Sequence, residues 1–303
     1  MSMAGAKEYK IFEVALARKQ RLSPSMMRCV FSGESVREMT TGAPDQRIKL
    51  LFPAIDGTPS QLPDVANWYA ELLALPKRQR PIARTYTLRR LNAAAGEVEV
   101  EFVIHGTEGP ASSWAMRAEP GDRLQMVAPC ADSRGRQGGY EWLPTEQTRR
   151  ALLIADETAF PAVKGILEQL AGQASPPQVQ AFIELPLRAD CQDFSHFTFA
   201  DIHWLPREEC GAKHGERLLD AVRDALILPQ AQSMPSVVSL TEVPDDELLW
   251  ERAESQHGQF FGWVAAESSV VKALRRYLVG ERGVARESMA FMAYWCQGPR
   301  REG

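Results

Sequence analysis

The tetrapeptide Arg84-Thr85-Tyr86-Thr87 sits in what reads as a strand and brings three useful groups together. Arg84 can neutralise a diphosphate, Tyr86 can cover a planar ring system, and Thr87 can hydrogen-bond that ring's edge. The same residues also suit an ordinary strand with an exposed arginine and a half-buried tyrosine. Further on, Phe102-Val103-Ile104-His105-Gly106 leads to Gly109-Pro110-Ala111-Ser112-Ser113-Trp114-Ala115. The small residues Gly109, Ala111, Ser112 and Ser113 let a phosphate approach backbone amides at a helix start, which is what a diphosphate cradle needs. Pro120-Gly121-Asp122 then turns the chain back towards a further strand. His105, on an apolar run, also has the reading of a core histidine. In the second half, Asp156-Glu157-Thr158 follows an apolar strand directly, where it can reach a ligand or cap the next helix.

Other chemistries lack their residues. No G-x-S-x-G or H-E-x-x-H motif occurs, and Ser112 has no defensible triad order, which argues against a hydrolase. A G-x-G-x-x-G fingerprint is also missing, which argues against an ordinary dehydrogenase. The histidines at 105, 196, 203, 214 and 257 show no metal-ligand spacing. Cys29, Cys130, Cys191, Cys210 and Cys296 form no C-x-x-C pair, and their odd number reads as free thiols in a reducing compartment.

The elements that must position these groups change character along the chain. Strand-like runs at Tyr9 to Leu16, Met26 to Phe31, Arg47 to Phe52, Ala83 to Arg89, Glu97 to Ile104 and Arg123 to Ala128 predict an N-terminal antiparallel six-stranded β-barrel. In Glu97-Val98-Glu99-Val100-Glu101-Phe102-Val103 the alternation is strict, with one face wet and one on a core. Gln61 to Arg80 reads as a helical excursion. From Ala151 on, continuous apolar runs alternate with helical periods. Ala151 to Ala155, Val179 to Leu185, Asp201 to Leu205, Val237 to Leu240, Phe260 to Ala266 and Ala290 to Trp295 read as strands. Stretches at 162–170, 215–226 and 270–278 read as helices, the last closed by Gly280. This predicts an α/β domain with a parallel sheet and ligands at the carboxyl ends of its strands. The polar stretch Pro144 to Arg150 places the boundary, giving domains 1–145 and 146–303.

At 303 residues, two such domains are the expected count. Lys plus Arg is 35 against 39 Asp plus Glu, a net charge of −4, which argues against nucleic-acid or anionic-membrane binding. No signal peptide and no apolar stretch long enough to span a membrane is found, so a cytoplasmic location is expected; a monomer is expected as well. A barrel followed by a parallel α/β domain is, by analogy of fold, an arrangement that uses a flavin and a nicotinamide nucleotide.

The ordered series R-x-Y-T (Arg84 to Thr87), F-V-x-H-G-x-x-G-P-A-S (Phe102 to Ser112), A-D-E-T-A (Ala155 to Ala159), W-x-A-x-E-S (Trp263 to Ser268) and Y-W-x-x-G (Tyr294 to Gly298) resembles the siderophore-interacting protein family. These are flavin-dependent ferric-siderophore reductases of the vibriobactin-utilisation type, related in architecture to ferredoxin reductases. Three positions depart from the pattern: Phe160 for leucine, Ala266 for glycine, and Ser113 for arginine. The resemblance implies that Arg84, Tyr86, Thr87, His105 and Gly109, Pro110, Ala111, Ser112, Ser113 and Trp114 hold FAD. It implies that Asp156, Glu157, Thr158 and Ala159 reach the cofactor, and that Trp263, Ala266, Glu267 and Ser268 lie at the NAD(P)H site. Ala266 would tighten the room for the nucleotide.

The implied reaction passes a hydride from NADPH or NADH to the flavin and single electrons to Fe(III), so it needs alignment more than an acid–base pair. Reduction loosens a ferric chelate, whose hard anionic oxygens prefer Fe(III). The anionic ferric siderophore calls for cations: Lys49, Arg134 or Arg136, Lys272, Arg275 and Arg276. Arg275 and Arg276 also suit the solvated face of a helix. A reduced ferredoxin could replace the nicotinamide donor. Other readings of the same fold are an NAD(P)H:flavin or ferredoxin-type reductase with another acceptor, and a siderophore-binding flavoprotein without activity.

Overall fold

Alternation between apolar and charged residues sets the register of the first sheet. The computed structural model describes residues 8–106, 109–132, 138–228, 244, 247–254 and 258–298, and the chain divides into units Met1–Tyr140 and Glu141–Gly303. In the first unit the strands are β1 (Tyr9–Ser23), β2 (Met26–Ser32), β3 (Arg47–Phe52), β4 (Ile82–Thr87), β5 (Arg90–Asn92), β6 (Glu97–Val103) and β7 (Arg123–Pro129). They form one seven-stranded sheet in the order β4-β3-β7-β1-β2-β6-β5, with every pairing antiparallel.

The expected six-stranded barrel is thus a curled seven-stranded sheet. β5 is short and polar, so no hydrophobic period announced it. β1 extends well past Leu16 because it serves two partners. Its first half pairs with β7 and its second half with β2, with register shifts at Leu16/Arg18 and Arg21/Ser23. Such bulges bend a strand and add twist, which curls the sheet around its own core. Val98, Val100 and Phe102 of β6 face that core with Phe31, Ile48, Leu50 and Phe52. The opposite face of β6 is less wet than the alternation implies: Glu101 is buried and ion-paired to Arg28 at 2.8 Å and to Arg89 at 3.7 Å. The helical excursion contracts to α1 (Trp68–Ala74), followed by a short 3₁₀ turn, and α2 (Pro110–Arg117) lies between β6 and β7.

The second unit alternates β8 (Arg150–Ala155), α3 (Phe160–Ala171), β9 (Gln178–Leu185), β10 (Ala200–Pro206), α4 (Glu216–Ala225), β11 (Trp250–Glu251), β12 (Phe260–Glu267), α5 (Ser268–Arg275) and β13 (Met289–Trp295). The sheet order is β10-β9-β8-β12-β13-β11. All pairings are parallel except that of the two-residue edge strand β11 with β13, so the sheet is mixed rather than purely parallel. Continuous apolar strands such as β8 are covered on both faces, as their sequence requires. The predicted strand Val237 to Leu240 lies outside the described residues. After α5 the chain widens into a π-helical turn over Arg276–Glu281, so Gly280 does not close the helix; Gly283, at φ 67°, follows it.

Strand order reverses between β8 and β12, the switch point beside which ligands bind in open α/β sheets. Gly215 starts α4 in the left-handed region at φ 81°, and a Cβ there would lie 2.1 Å from a Val270 methyl on α5. Gly215→Ala is therefore expected to cost about 2 kcal/mol or more, from backbone strain plus the overlap. Urea denaturation of the two proteins measures it.

Candidate functional site

β3 and β4 carry the first cluster. Their register sets Lys49 opposite Thr85, and the Lys49 ammonium donates to the Thr85 hydroxyl at 3.1 Å. Arg84 is exposed, and its guanidinium donates to the Ala83 carbonyl at 2.9 Å. Tyr86 turns inward, its ring 4.6 Å from Phe102 and 6.4 Å from Phe52, and burial raises its phenol pKa above the ordinary value. Thr87 is buried and its hydroxyl oxygen has no hydrogen-bond partner among the described residues, an open polar position on this strand.

The helix start expected from G-P-A-S is present. Gly109 precedes α2 in an extended conformation, with Pro110 in the first turn and no side-chain cap. The Ser113 amide donates to the Gly109 carbonyl, which leaves the Ala111 and Ser112 amides at the helix start without an intrahelical acceptor. The Ser112 hydroxyl is not a free phosphate ligand. It donates to the Gly106 carbonyl at 2.7 Å and accepts from the His105 amide at 3.3 Å, tying α2 to the end of β6. His105 is exposed beyond β6, which excludes the core-histidine reading. A Cβ on Gly109 would lie 2.9 Å from the His105 ring, so glycine makes room for the imidazole. Ser113 is buried, and Trp114 is half-buried with its ring centroid 5.8 Å from that of Phe31 and 5.8 Å from that of Phe52. An unpartnered buried hydroxyl, an exposed arginine and an uncapped helix start fit a ring system bearing a diphosphate, the chemistry of FAD.

In the second unit the carboxyl ends of the parallel strands gather charge. After β8, one Asp156 oxygen accepts from the Thr158 amide at 2.9 Å and from its hydroxyl at 2.5 Å, and the other accepts from the Trp295 indole at 2.7 Å. Burial, with the neighbouring Glu157 charge adding to it, pushes the Asp156 carboxyl up to about 7. Glu157 is gripped by both terminal nitrogens of Arg207 at 2.8 and 2.7 Å. Arg207 also reaches Glu184 of β9 at 3.2 Å. Glu184 in turn accepts the Gly215 amide at 2.8 Å and the Leu218 amide at 3.3 Å, which caps α4. His214 stands 3.7 Å from Glu157 and meets the Trp295 ring edge-on at 5.0 Å. Ala159 is buried ahead of α3.

At the end of β12, Glu267 caps α5. It accepts from the Ser269 amide at 2.7 Å, the Val270 amide at 3.3 Å and, through its other oxygen, the Gln297 amide at 3.1 Å. Burial opposes its charge, but these donors hold the carboxyl below the ordinary range. Ser268 is buried beside it.

Two expected nucleotide contacts are corrected. Trp263 lies mid-strand, paired with Leu153 and Ala290, and is completely buried in the core. Ala266 is also buried, among Val264, Val270 and Phe291, so its methyl takes no room from a ligand. Among the expected substrate cations, Arg275 is spent: it pairs with Glu251 at 2.8 Å, and Glu251 also takes Arg286 at 2.7 Å. Lys272 donates to the Pro244 carbonyl. Arg276 is exposed at the start of the π turn. Arg134, Arg136 and His257 lie outside the described residues.

The sequence reading did not single out Arg207, Glu184 or His214, and it quoted Trp295 without giving it a role. Glu184, a carboxylate inside the apolar run Ala181-Phe182-Ile183-Glu184-Leu185, was a usable signal, because a doubly covered strand cannot leave it unpaired. Arg207, just past a parallel strand, was another. His214 carried none.

The family model described as a siderophore-interacting FAD-binding domain matches residues 15–133. A second, described as siderophore-interacting protein, matches residues 148–298. The chain is 27% identical over 294 residues to the ferric vibriobactin reductase ViuB of Vibrio cholerae, covering 94% of this chain and 89% of that protein. It is 28% identical over 284 residues to the NADPH-dependent ferric-chelate reductase of Escherichia coli, covering 93% and 92%. The crystal structure of a siderophore utilization protein from T. fusca superposes with a TM-score of 0.70 at 26% identity, covering 98% of this chain and 96% of that one. The two-domain fold is ferredoxin-reductase-like, with a TM-score of 0.59 to a solved ferredoxin reductase at 14% identity, over 95% of this chain and 70% of that one.

Two outcomes follow from the charged cluster. Arg207→Met leaves Glu157 and Glu184 buried without their cation and is expected to cost about 3–5 kcal/mol, read by urea denaturation. Asp156 has a folded pKa raised above the ordinary carboxyl value of 3.8 to about 7, so its contribution to stability is present below the ordinary value and lost as pH rises through about 7. Asp156→Asn should therefore show a smaller loss of stability than the parent between about pH 5 and pH 8, measured the same way.

Proposed function

The chain belongs to the siderophore-interacting protein family, and from that premise we propose that it is an FAD-dependent reductase that uses NAD(P)H to convert Fe(III) in a ferric siderophore to Fe(II). The observation that carries the reading lies in the segment matched as an FAD-binding domain. There an exposed Arg84, an unpartnered buried Thr87 hydroxyl and the uncapped start of α2 belong to one unit. Residues 1–145 form the FAD domain in this reading, and 146–303 the NAD(P)H domain.

Bound FAD supplies the conversion of a two-electron hydride donor into single electrons for iron. The protein's residues bind and orient. Arg84 and the α2 amides would neutralise the diphosphate and Thr87 would hydrogen-bond the ring edge, while Tyr86 and Trp114 pack against Phe102 in the aromatic core of this unit and hold β4 and α2 in place. The name of the Escherichia coli relative supports NADPH as donor. Lys49, partly exposed on β3, is the first-unit cation assigned to the anionic siderophore, with Arg134 as a second. Arg276 remains for an anionic ligand in the second unit, whereas Arg275 and Lys272 already serve other groups. Reduced iron is released in the cytoplasm in this reading; among the described residues no helix is long and apolar enough to cross a membrane.

Activity is favoured over simple binding by two observations. Relatives across nearly the full chain are named reductases, and buried Ala266 does not obstruct a nucleotide.

The purified protein should be yellow. Under nitrogen NADPH should bleach the flavin, and a ferric siderophore should restore it; a colourless protein after reconstitution with FAD sinks the reading. Thr87→Val, which keeps the side-chain shape and removes the hydroxyl, is expected to weaken FAD binding about tenfold. Fluorescence titration of apoprotein with FAD measures that change.

A further inference from the structure

β13 keeps step with its parallel neighbour β12 as far as the pair Ala266 and Ala293. It then skips a residue, so that Trp295 rather than Tyr294 faces Glu267. A bulge of this kind re-aims the side chain that follows it, and bulges concentrate beside active sites. The re-aimed indole is half-buried at the carboxyl end of the sheet. Its nitrogen donates to Asp156 at 2.7 Å, and the His214 ring meets it edge-on at 5.0 Å. Asp156 is itself held by Thr158 on its other oxygen, so the anchor has no freedom to follow the indole. A large flat ring is thereby fixed in one orientation with part of its surface open to solvent, beside the strand ends where nucleotides bind in such sheets.

We propose that Asp156 is a positioning residue that holds the Trp295 indole as one wall of the nicotinamide nucleotide site. Asp156 is too deeply buried to touch the nucleotide and acts through the ring. The inference rests on the reading that NAD(P)H docks on the second domain.

A pH dependence follows. The indole nitrogen only donates, and its bond to an ionised carboxylate is about twice as strong as one to a neutral carboxyl. The charged groups around this pair are Glu157 beside Asp156, Arg207 and His214 beyond Glu157, and Glu267 at the end of β12, whose outer oxygen takes the Gln297 amide. Ionisation of Asp156 near neutral pH tightens the anchor, so the ring is held more firmly above that pH than below it.

The test uses purified full-length protein. The Trp295 signal is isolated as the difference in emission between the parent and Trp295→Phe, followed from pH 5.5 to 8.5 without nucleotide. The expected result is an inflection near neutrality that survives in His214→Gln and is lost in Asp156→Asn, with NADPH affinity about tenfold weaker in Asp156→Asn and in Trp295→Phe. Survival of the inflection in Asp156→Asn, or its loss in His214→Gln alone, overturns the anchor. NADPH affinity unchanged in both Asp156→Asn and Trp295→Phe overturns the wall. Asp156→Ser serves as a second variant should the asparagine protein not fold. A parent that binds neither NADPH nor NADH removes the docking reading, while the nucleotide-free emission still decides whether Asp156 holds the ring.

Discussion

Removing a carboxylate from water is costly unless hydrogen bonds and a counter-charge replace the lost hydration. The second unit places Asp156, Glu157, Glu184 and Glu267 at the carboxyl ends of its strands, all buried, and the architecture around them meets that demand. Glu157 and Glu184 share Arg207, which ties the end of β10 to the loop after β8 and to β9. Glu184 and Glu267 each accept amides at a helix start, so the partial positive ends of α4 and α5 face the ligand end of the sheet. Among the described residues Asp156 is paired with no arginine, and burial pushes its carboxyl up to about 7. One edge of one sheet thus carries four carboxyl groups in three electrostatic states.

The first unit solves a different problem. Its interior near the motif strand is aromatic, with Tyr86, Phe52, Phe102, Trp114 and Phe31 packed edge-to-face, stacked or tilted against one another. Rigid rings fix the backbone of β4 and the start of α2, so that main-chain amides and the Thr87 hydroxyl stand in place before any ligand arrives. The Ser112 hydroxyl belongs to this scaffold, because its bonds to the Gly106 carbonyl and His105 amide lock the loop to the helix. In one unit rigidity is built from ring packing; in the other it is built from charge.

Residue periods made most strands legible. β2, β3, β6, β7, β8, β9, β12 and β13 announce themselves as alternating or continuous apolar runs. What escaped them was short or two-faced: β5 and β11 are too brief to show a period, and the second half of β1, Arg18-Lys19-Gln20-Arg21, is polar because it extends past the core. Motif reading located the strand β4 and the start of α2 yet mistook the destination of Trp263, since a motif gives order along the chain and not the face a side chain takes. Period-2 arithmetic sends Trp263 and Ala265 to one core face and Val264 and Ala266 to the other, leaving Glu267, buried but hydrogen-bonded to amides, as the polar residue at the strand end.

The departures from the family pattern fit the same division between scaffold and surface. Phe160, where leucine is usual, is fully buried at the start of α3, and its ring packs against Phe194 and Trp204 at 5.9 and 5.7 Å. The larger ring also presents a face to the buried Lys164 ammonium, 4.9 Å from its centroid, which an aliphatic side chain would not. Ala266 adds a methyl to the core side of β12, where close packing welcomes it. Ser113, where arginine is frequent, is buried in α2 with its amide donating to the Gly109 carbonyl. It contributes no charge to the helix start, so in the proposed reading the neutralisation of a diphosphate there would fall more heavily on Arg84 and on the amides themselves.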